Sequence, residues 1–133
     1  METKQAKLYT DGGSRGNPGP AGAGGVLILD KKKTFKKYLG EMTNNQAEYS
    51  AMIEGMKLAA EEGVTELEVF LDSELIVKQM RGQYKVKNHG LKPLFAEALK
   101  LTNNFSNITF QHVYREKNQL ADKLVNEAID EAM

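Results

Sequence analysis

The sequence predicts an α/β fold, one mixed five-stranded sheet with helices on both faces and the element order βββαβααβα. Three observations carry this. Up to Met42 the chain alternates apolar and polar residues between turn signals, the signature of half-buried antiparallel strands. Beyond it, segments of helical period are interleaved with two short apolar runs. Strands four and five are therefore reached through right-handed crossovers and run parallel to strand one. Finally, 133 residues suffice for one core and are too few for two ordinary domains, so residues 1–133 are read as a single domain.

Gln5 to Thr10 alternates as the first strand. Gly24 to Leu29 and Thr34 to Met42 follow, joined by a lysine-rich tip within KKKTFKK. Thr43 and Gln46 fit a capping box that opens a helix, which Gly63 closes. The run ELEVFLD, ending at Asp72, reads as a strand buried on both faces. Asp72 or Ser73 then caps a short helix to about Met80. Leu91 to Leu101 has helical spacing, Ile108 to Tyr114 alternates as the last strand, and Asn118 to Ala132 forms the final helix.

Composition narrows the function. Eighteen basic and eighteen acidic residues give a formal net charge of zero, which argues against coating nucleic acid through bulk charge. Yet Leu75 to Ala96 contains no acid, while Lys78, Arg81, Lys85, Lys87 and Lys92 fall inside it. There is no cysteine, so thiolate metal sites are excluded. No apolar leader or membrane-length run is visible, and a cytoplasmic monomer is the expectation.

Four acids sit in unusual places. The stretch Tyr9 to Leu29 holds seven of twelve glycines and a single acid, Asp11. It matches neither a phosphate-binding P-loop nor a dinucleotide fingerprint. An Asp-Gly pair commonly marks a hairpin turn, but Asp11 also ends the first strand, where α/β sheets place their sites. Asp72 ends the fourth strand at the same edge. Neighbouring strands lie about 4.8 Å apart, so the two carboxylates would repel unless a cation lay between them. At roughly 100° per residue, Glu48 shares the buried helix face of Met52, Gly55 and Ala59 and needs a charged partner there. Asp122, in the first turns of the last helix, is also explained by the helix dipole. Four hard oxygen donors suit Mg²⁺ or Mn²⁺, and carboxylates converging from several elements describe a two-metal phosphoryl-transfer site.

Together, YTDGGSRGNPGP, TNNQAE, VFLDSELIVKQM and REKNQLADKLVNEA, in this order over essentially the whole chain, resemble ribonuclease H of type 1. The resemblance implies the ribonuclease H-like sheet order 3-2-1-4-5. It implies endonucleolytic hydrolysis of the RNA strand of RNA–DNA hybrids to 5′-phosphate and 3′-hydroxyl ends. Asp11, Glu48, Asp72 and Asp122 fall on the family's catalytic metal ligands, for two Mg²⁺ or Mn²⁺ ions with substrate bound. Gly12, Ser14 and Asn17 match loop positions near the RNA backbone, whose approach the glycines would permit, and Asn44 and Asn45 match substrate contacts. Thr43 and Asn88 match a pocket for a DNA-strand phosphate, and Asn118 an asparagine one helical turn before the last aspartate.

Two departures stand out. YREKN is too short for the histidine-bearing loop of many bacterial members, and Arg115 or Glu116 is the candidate replacement, since His89 and His112 lie elsewhere. The protruding basic helix with its tryptophans is absent, which leaves Tyr84, Lys85 and Lys87 to do part of its work. The alternatives are a catalytically silent hybrid-binding module and another nuclease or strand transferase of the same fold.

Overall fold

In the computed structural model, which describes residues 2–133, the elements follow the expected order. They are β1 (Gln5–Ser14), β2 (Gly19–Ile28), β3 (Lys32–Met42), α1 (Asn44–Glu61), β4 (Glu66–Leu71), α2 (Glu74–Met80), α3 (Lys92–Thr102), β5 (Asn107–His112), a short 3₁₀ turn (Arg115–Lys117) and α4 (Gln119–Ala132). The strands form one sheet in the order β3-β2-β1-β4-β5. β1–β2 and β2–β3 are antiparallel, and β1–β4 and β4–β5 are parallel. Among the described residues no helix is long and apolar enough to cross a membrane.

The two sides of the sheet follow from residue parity. Ala6, Leu8 and Thr10 of β1 are buried on one side, where α1 brings Met52, Met56 and Ala59 to fill the core. On the opposite side α4 crosses β2, with Ala121, Val125 and Ile129 buried against it. Capping fixes where α1 starts. The Thr43 hydroxyl accepts from the Gln46 amide at 3.2 Å, while the Gln46 side chain accepts from the Thr43 amide at 3.0 Å. Ser73, not Asp72, caps α2, its hydroxyl accepting from the Ile76 amide. That leaves the Asp72 carboxylate out of the capping role.

The glycine-rich stretch is the main correction. Instead of a long loop, β1 and β2 continue their ladder through Asp11↔Gly24, Gly12↔Ala23, Gly13↔Gly22 and Ser14↔Ala21, and turn only at residues 15–18. The reason is steric. A Cβ on Gly12 would lie 2.1 Å from the Ala47 carbonyl oxygen, and one on Gly24 would lie 2.6 Å from that of Ala121. These glycines admit α1 and α4 to the sheet surface. The lysine cluster is corrected as well. Only Lys31 lies in the turn, and Lys32, Lys33, Lys36 and Lys37 belong to β3, an edge strand.

Candidate active site

Parallel pairing of β1 with β4 runs as far as Tyr9↔Phe70, whose rings stack with centroids 4.6 Å apart. Asp11 and Asp72 each follow two residues later on the same side of the sheet, so the side chains that continue this stacked column are carboxylates. Glu48 reaches them from α1. Because Gly12 has no side chain, α1 begins close enough for the Gly12 amide to donate to Glu48 Oε1 at 2.9 Å. One carboxylate oxygen each of Asp11, Glu48 and Asp72 lies within 4.8 Å of the others. Asp122, half-buried at the start of α4, lines the same cleft of about 420 Å³ without joining that trio.

The electrostatics are those of an acid cluster in which burial and mutual repulsion outweigh the nearby positive charge. Burial pushes Asp11 up to about 6, partly offset by a hydrogen bond with Glu48 and reinforced by repulsion from Asp72 and Asp122. Glu48 is held well above the usual carboxylate range, first by burial and then by Asp11. Asp72 is raised mainly by burial, against the lowering effects of the Asn118 side chain, Arg115 and His112. Glu48 Oε2 is buried without a hydrogen-bond partner. An all-oxygen donor set with one buried lone acceptor fits a hard divalent cation. Such an ion would remove the repulsion that raises these groups.

Around the carboxylates, several residues singled out for substrate hold one another. The Ser14 amide donates to Asn44 Oδ1 at 2.9 Å, and the Asn44 amide donates to Asn17 Oδ1 at 3.0 Å. The amide oxygens are thus turned inward, and the NH₂ ends are the groups left to meet a ligand. Asn45 lines the cleft beside Asn44, and Arg115 lines it as well, close enough to lower the Asp72 carboxylate. Gly90 packs against the Gln46 side chain, which sets Asn88 near the capped start of α1 and hence near Thr43. Asn88 Oδ1 accepts from the Gly90 amide at 2.7 Å.

Lys85 and Lys87 are exposed on the adjoining segment, outside the cleft, and join no ion pair among the described residues. Asn118 is only 2% exposed. Its Nδ2 donates to the Thr10 carbonyl at 2.9 Å, so it braces β1 against α4, and the same side chain reaches the Asp72 carboxylate and lowers it. Glu116 is exposed in the 3₁₀ turn and does not line the cleft. His112 sits at the end of β5 with Nδ1 3.9 Å from a Glu74 oxygen. Cleft residues that sequence reasoning passed over are Gly13, Arg15, Ser73, Val125, Asn126 and Ile129. For Asn126 a signal existed, since it lies one helical turn after Asp122.

Residues 9–128 match the family described as reverse transcriptase-like. A bifunctional protein of Mycobacterium tuberculosis is 44% identical over 94% of this chain, which spans 35% of that protein's length. A protein of Sulfurovum sp. named ribonuclease H is 38% identical, with 94% of this chain and 91% of that protein covered. Among solved structures, LC11-RNase H1 in complex with RNA/DNA hybrid superposes with a TM-score of 0.90 at 47% identity. That match covers 96% of this chain and 98% of the other.

Proposed function

Because the chain belongs to the type 1 ribonuclease H family, we propose that it hydrolyses the RNA strand of RNA–DNA hybrids endonucleolytically, leaving 5′-phosphate and 3′-hydroxyl ends. The observation that carries this reading is the meeting of Asp11, Glu48 and Asp72 oxygens within 4.8 Å, around a buried Glu48 oxygen with no protein partner. Asp11, Glu48, Asp72 and Asp122 are the groups that would hold divalent cations, taken here as two Mg²⁺ or Mn²⁺ with substrate bound. Those cations supply the positive charge that phosphodiester hydrolysis requires.

The remaining work falls to the chain's own side chains. The Asn17 and Asn44 NH₂ groups, with Ser14, Gly12 and Asn45, face the RNA strand and can select its 2′-hydroxyl, which DNA lacks. Their interlock fixes them before substrate arrives, so little ordering entropy is lost on binding. Thr43 and Asn88 take a DNA-strand phosphate, and Lys85 and Lys87 extend that contact in place of the missing protrusion. Arg115, which already lowers the Asp72 carboxylate, is placed to stabilise negative charge on the departing or product phosphate. Asn118 positions Asp72 and β1. Every proposed group comes from this one domain, consistent with a monomer acting where hybrids form, in the cytoplasm.

The test is a cleavage panel with end-labelled hybrid, RNA duplex and DNA duplex, each with Mg²⁺, Mn²⁺ or chelator. Metal-dependent cleavage of the hybrid RNA strand alone is expected. Binding without cleavage would make the chain a silent hybrid-binding module, and cleavage of DNA duplex would make it a different nuclease. Arg115→Ala should lower turnover at least about tenfold while changing hybrid affinity less. Equal losses in both would reduce Arg115 to a binding residue.

A further inference from the structure

Among the described residues only two cationic side chains line the cleft: Arg115, assigned above, and Arg15, which no site residue or resemblance accounts for. We propose that Arg15 is a second contact to the RNA strand, taking a phosphate beyond the scissile one on the hairpin side. This rests on the hybrid-hydrolysis reading and deepens it.

The backbone that carries Arg15 is fixed. Its amide donates to the Pro20 carbonyl at 2.8 Å, and Gly16 holds φ +120°, which a residue with a Cβ rarely adopts. A Cβ on Gly19 would lie 2.4 Å from the Arg15 carbonyl oxygen. The turn therefore fixes the backbone position from which this side chain extends. Arg15 lies four residues beyond Asp11, which puts it within about 13 Å along the chain. It follows Ser14, whose amide is tied to Asn44 on the proposed RNA-facing wall.

The guanidinium is held, but loosely. Nη1 is 2.7 Å from an Asp130 oxygen, with the two side chains 42% and 65% exposed. Nη2 donates to the Asn126 carbonyl and to Asn126 Oδ1, both at 3.4 Å. An ion pair that wet contributes little to stability, so a phosphate can displace Asp130 at small cost. A planar guanidinium also matches two phosphate oxygens at once. The same pair could instead be a clamp that pins the hairpin to α4, and that function makes the opposite prediction for Asp130.

Affinity of a fluorescein-labelled RNA–DNA hybrid is measured in the Asp11→Asn background with Mg²⁺, so that the probe is not cut. Arg15→Gln should weaken binding about tenfold. It should also make the slope of log affinity against log salt shallower by roughly 0.7–0.9. Asp130→Asn should leave affinity unchanged or raise it, because it removes a competing anion. In the Asp11-intact enzyme, Arg15→Gln should raise KM with kcat nearly constant. Equal losses of affinity in the two variants, with the wild-type salt slope, would show a clamp and overturn the proposal. Unchanged affinity in Arg15→Gln would overturn it as well. The Arg15-intact control separates the two readings: if that protein does not bind hybrid, the proposed function fails first.

Discussion

Asp11 is buried, faces three other carboxyl groups, and has a pKa of about 6 without a cation. Its folded value lies above that of an unfolded chain, so the charged form opposes folding. The penalty is absent below about pH 4, grows as pH rises through about 6, and is complete above that. Metal-free protein should accordingly be more stable at pH 5 than at pH 7, by about 1 kcal/mol from this group. Millimolar Mg²⁺ should shrink the difference, and thermal melts at both pH values check it. Asp11→Asn should cut cleavage well over about 100-fold, more than removing a supporting group does. The same substitution should raise the melting temperature of the metal-free protein at pH 7; a fall would mean that repulsion is not what strains the site. Asp11, Asp72 and Glu48 stood out in the sequence because each violates its surroundings, as a carboxylate at a strand end or a glutamate on a buried helix face, whereas the helix dipole explains Asp122 equally well. The Asn17–Asn44–Ser14 interlock and the Asn118–Thr10 bond were not legible. They join polar residues 27, 30 and 108 positions apart, and no local pattern encodes such a pairing.

Element order, sheet membership and strand direction were readable from periodicity and crossover rules. The extent of the β1–β2 ladder was not, because glycine reads as loop unless one knows which helix presses on it. Gly24→Ala tests that account. Its added methyl would meet the Ala121 carbonyl and Leu124 Cβ at 2.6 and 2.7 Å. Overpacking of this kind costs about 1–3 kcal/mol. It should also reduce activity by displacing the start of α4, where Asp122 sits. An alanine variant with native stability and turnover would show that α4 is not seated on that glycine. A second element contact also emerged only in three dimensions: the buried Tyr49 hydroxyl donates to Gln79 Oε1 at 2.5 Å, tying α1 to α2. Tyr49→Phe should cost about 1–3 kcal/mol by orphaning that acceptor, with cleavage of folded enzyme unchanged.

For the whole molecule, cation binding and folding are linked. Any ion that binds the folded site and not the unfolded chain stabilises it, by about 1.4 kcal/mol at ten times its Kd. A titration of melting temperature against Mg²⁺ should rise accordingly and should be abolished in Asp11→Asn. Replacing Lys85 and Lys87 together by alanine should weaken hybrid binding without sequence preference and flatten its salt dependence, leaving turnover at saturation nearly intact. The sequence revealed that basic segment but not how differently the other lysines are used. On β3, Lys33, Lys36 and Lys37 lie 2.9, 2.5 and 3.3 Å from oxygens of Glu62, Glu131 and Glu54.

Those pairings leave a zero net charge unevenly spread. The β3 edge is locally neutral, the cleft is anionic, and the segment around Lys85 is cationic. With an isoelectric point near 6.7, the protein carries almost no net charge at neutral pH, although its cleft and the Lys85 segment differ in sign. Little long-range repulsion keeps copies apart, and the anionic cleft of one can approach the cationic segment of the next. At low ionic strength the metal-free protein should therefore be least soluble near neutrality. Moderate salt, by screening that head-to-tail attraction, should bring it back into solution.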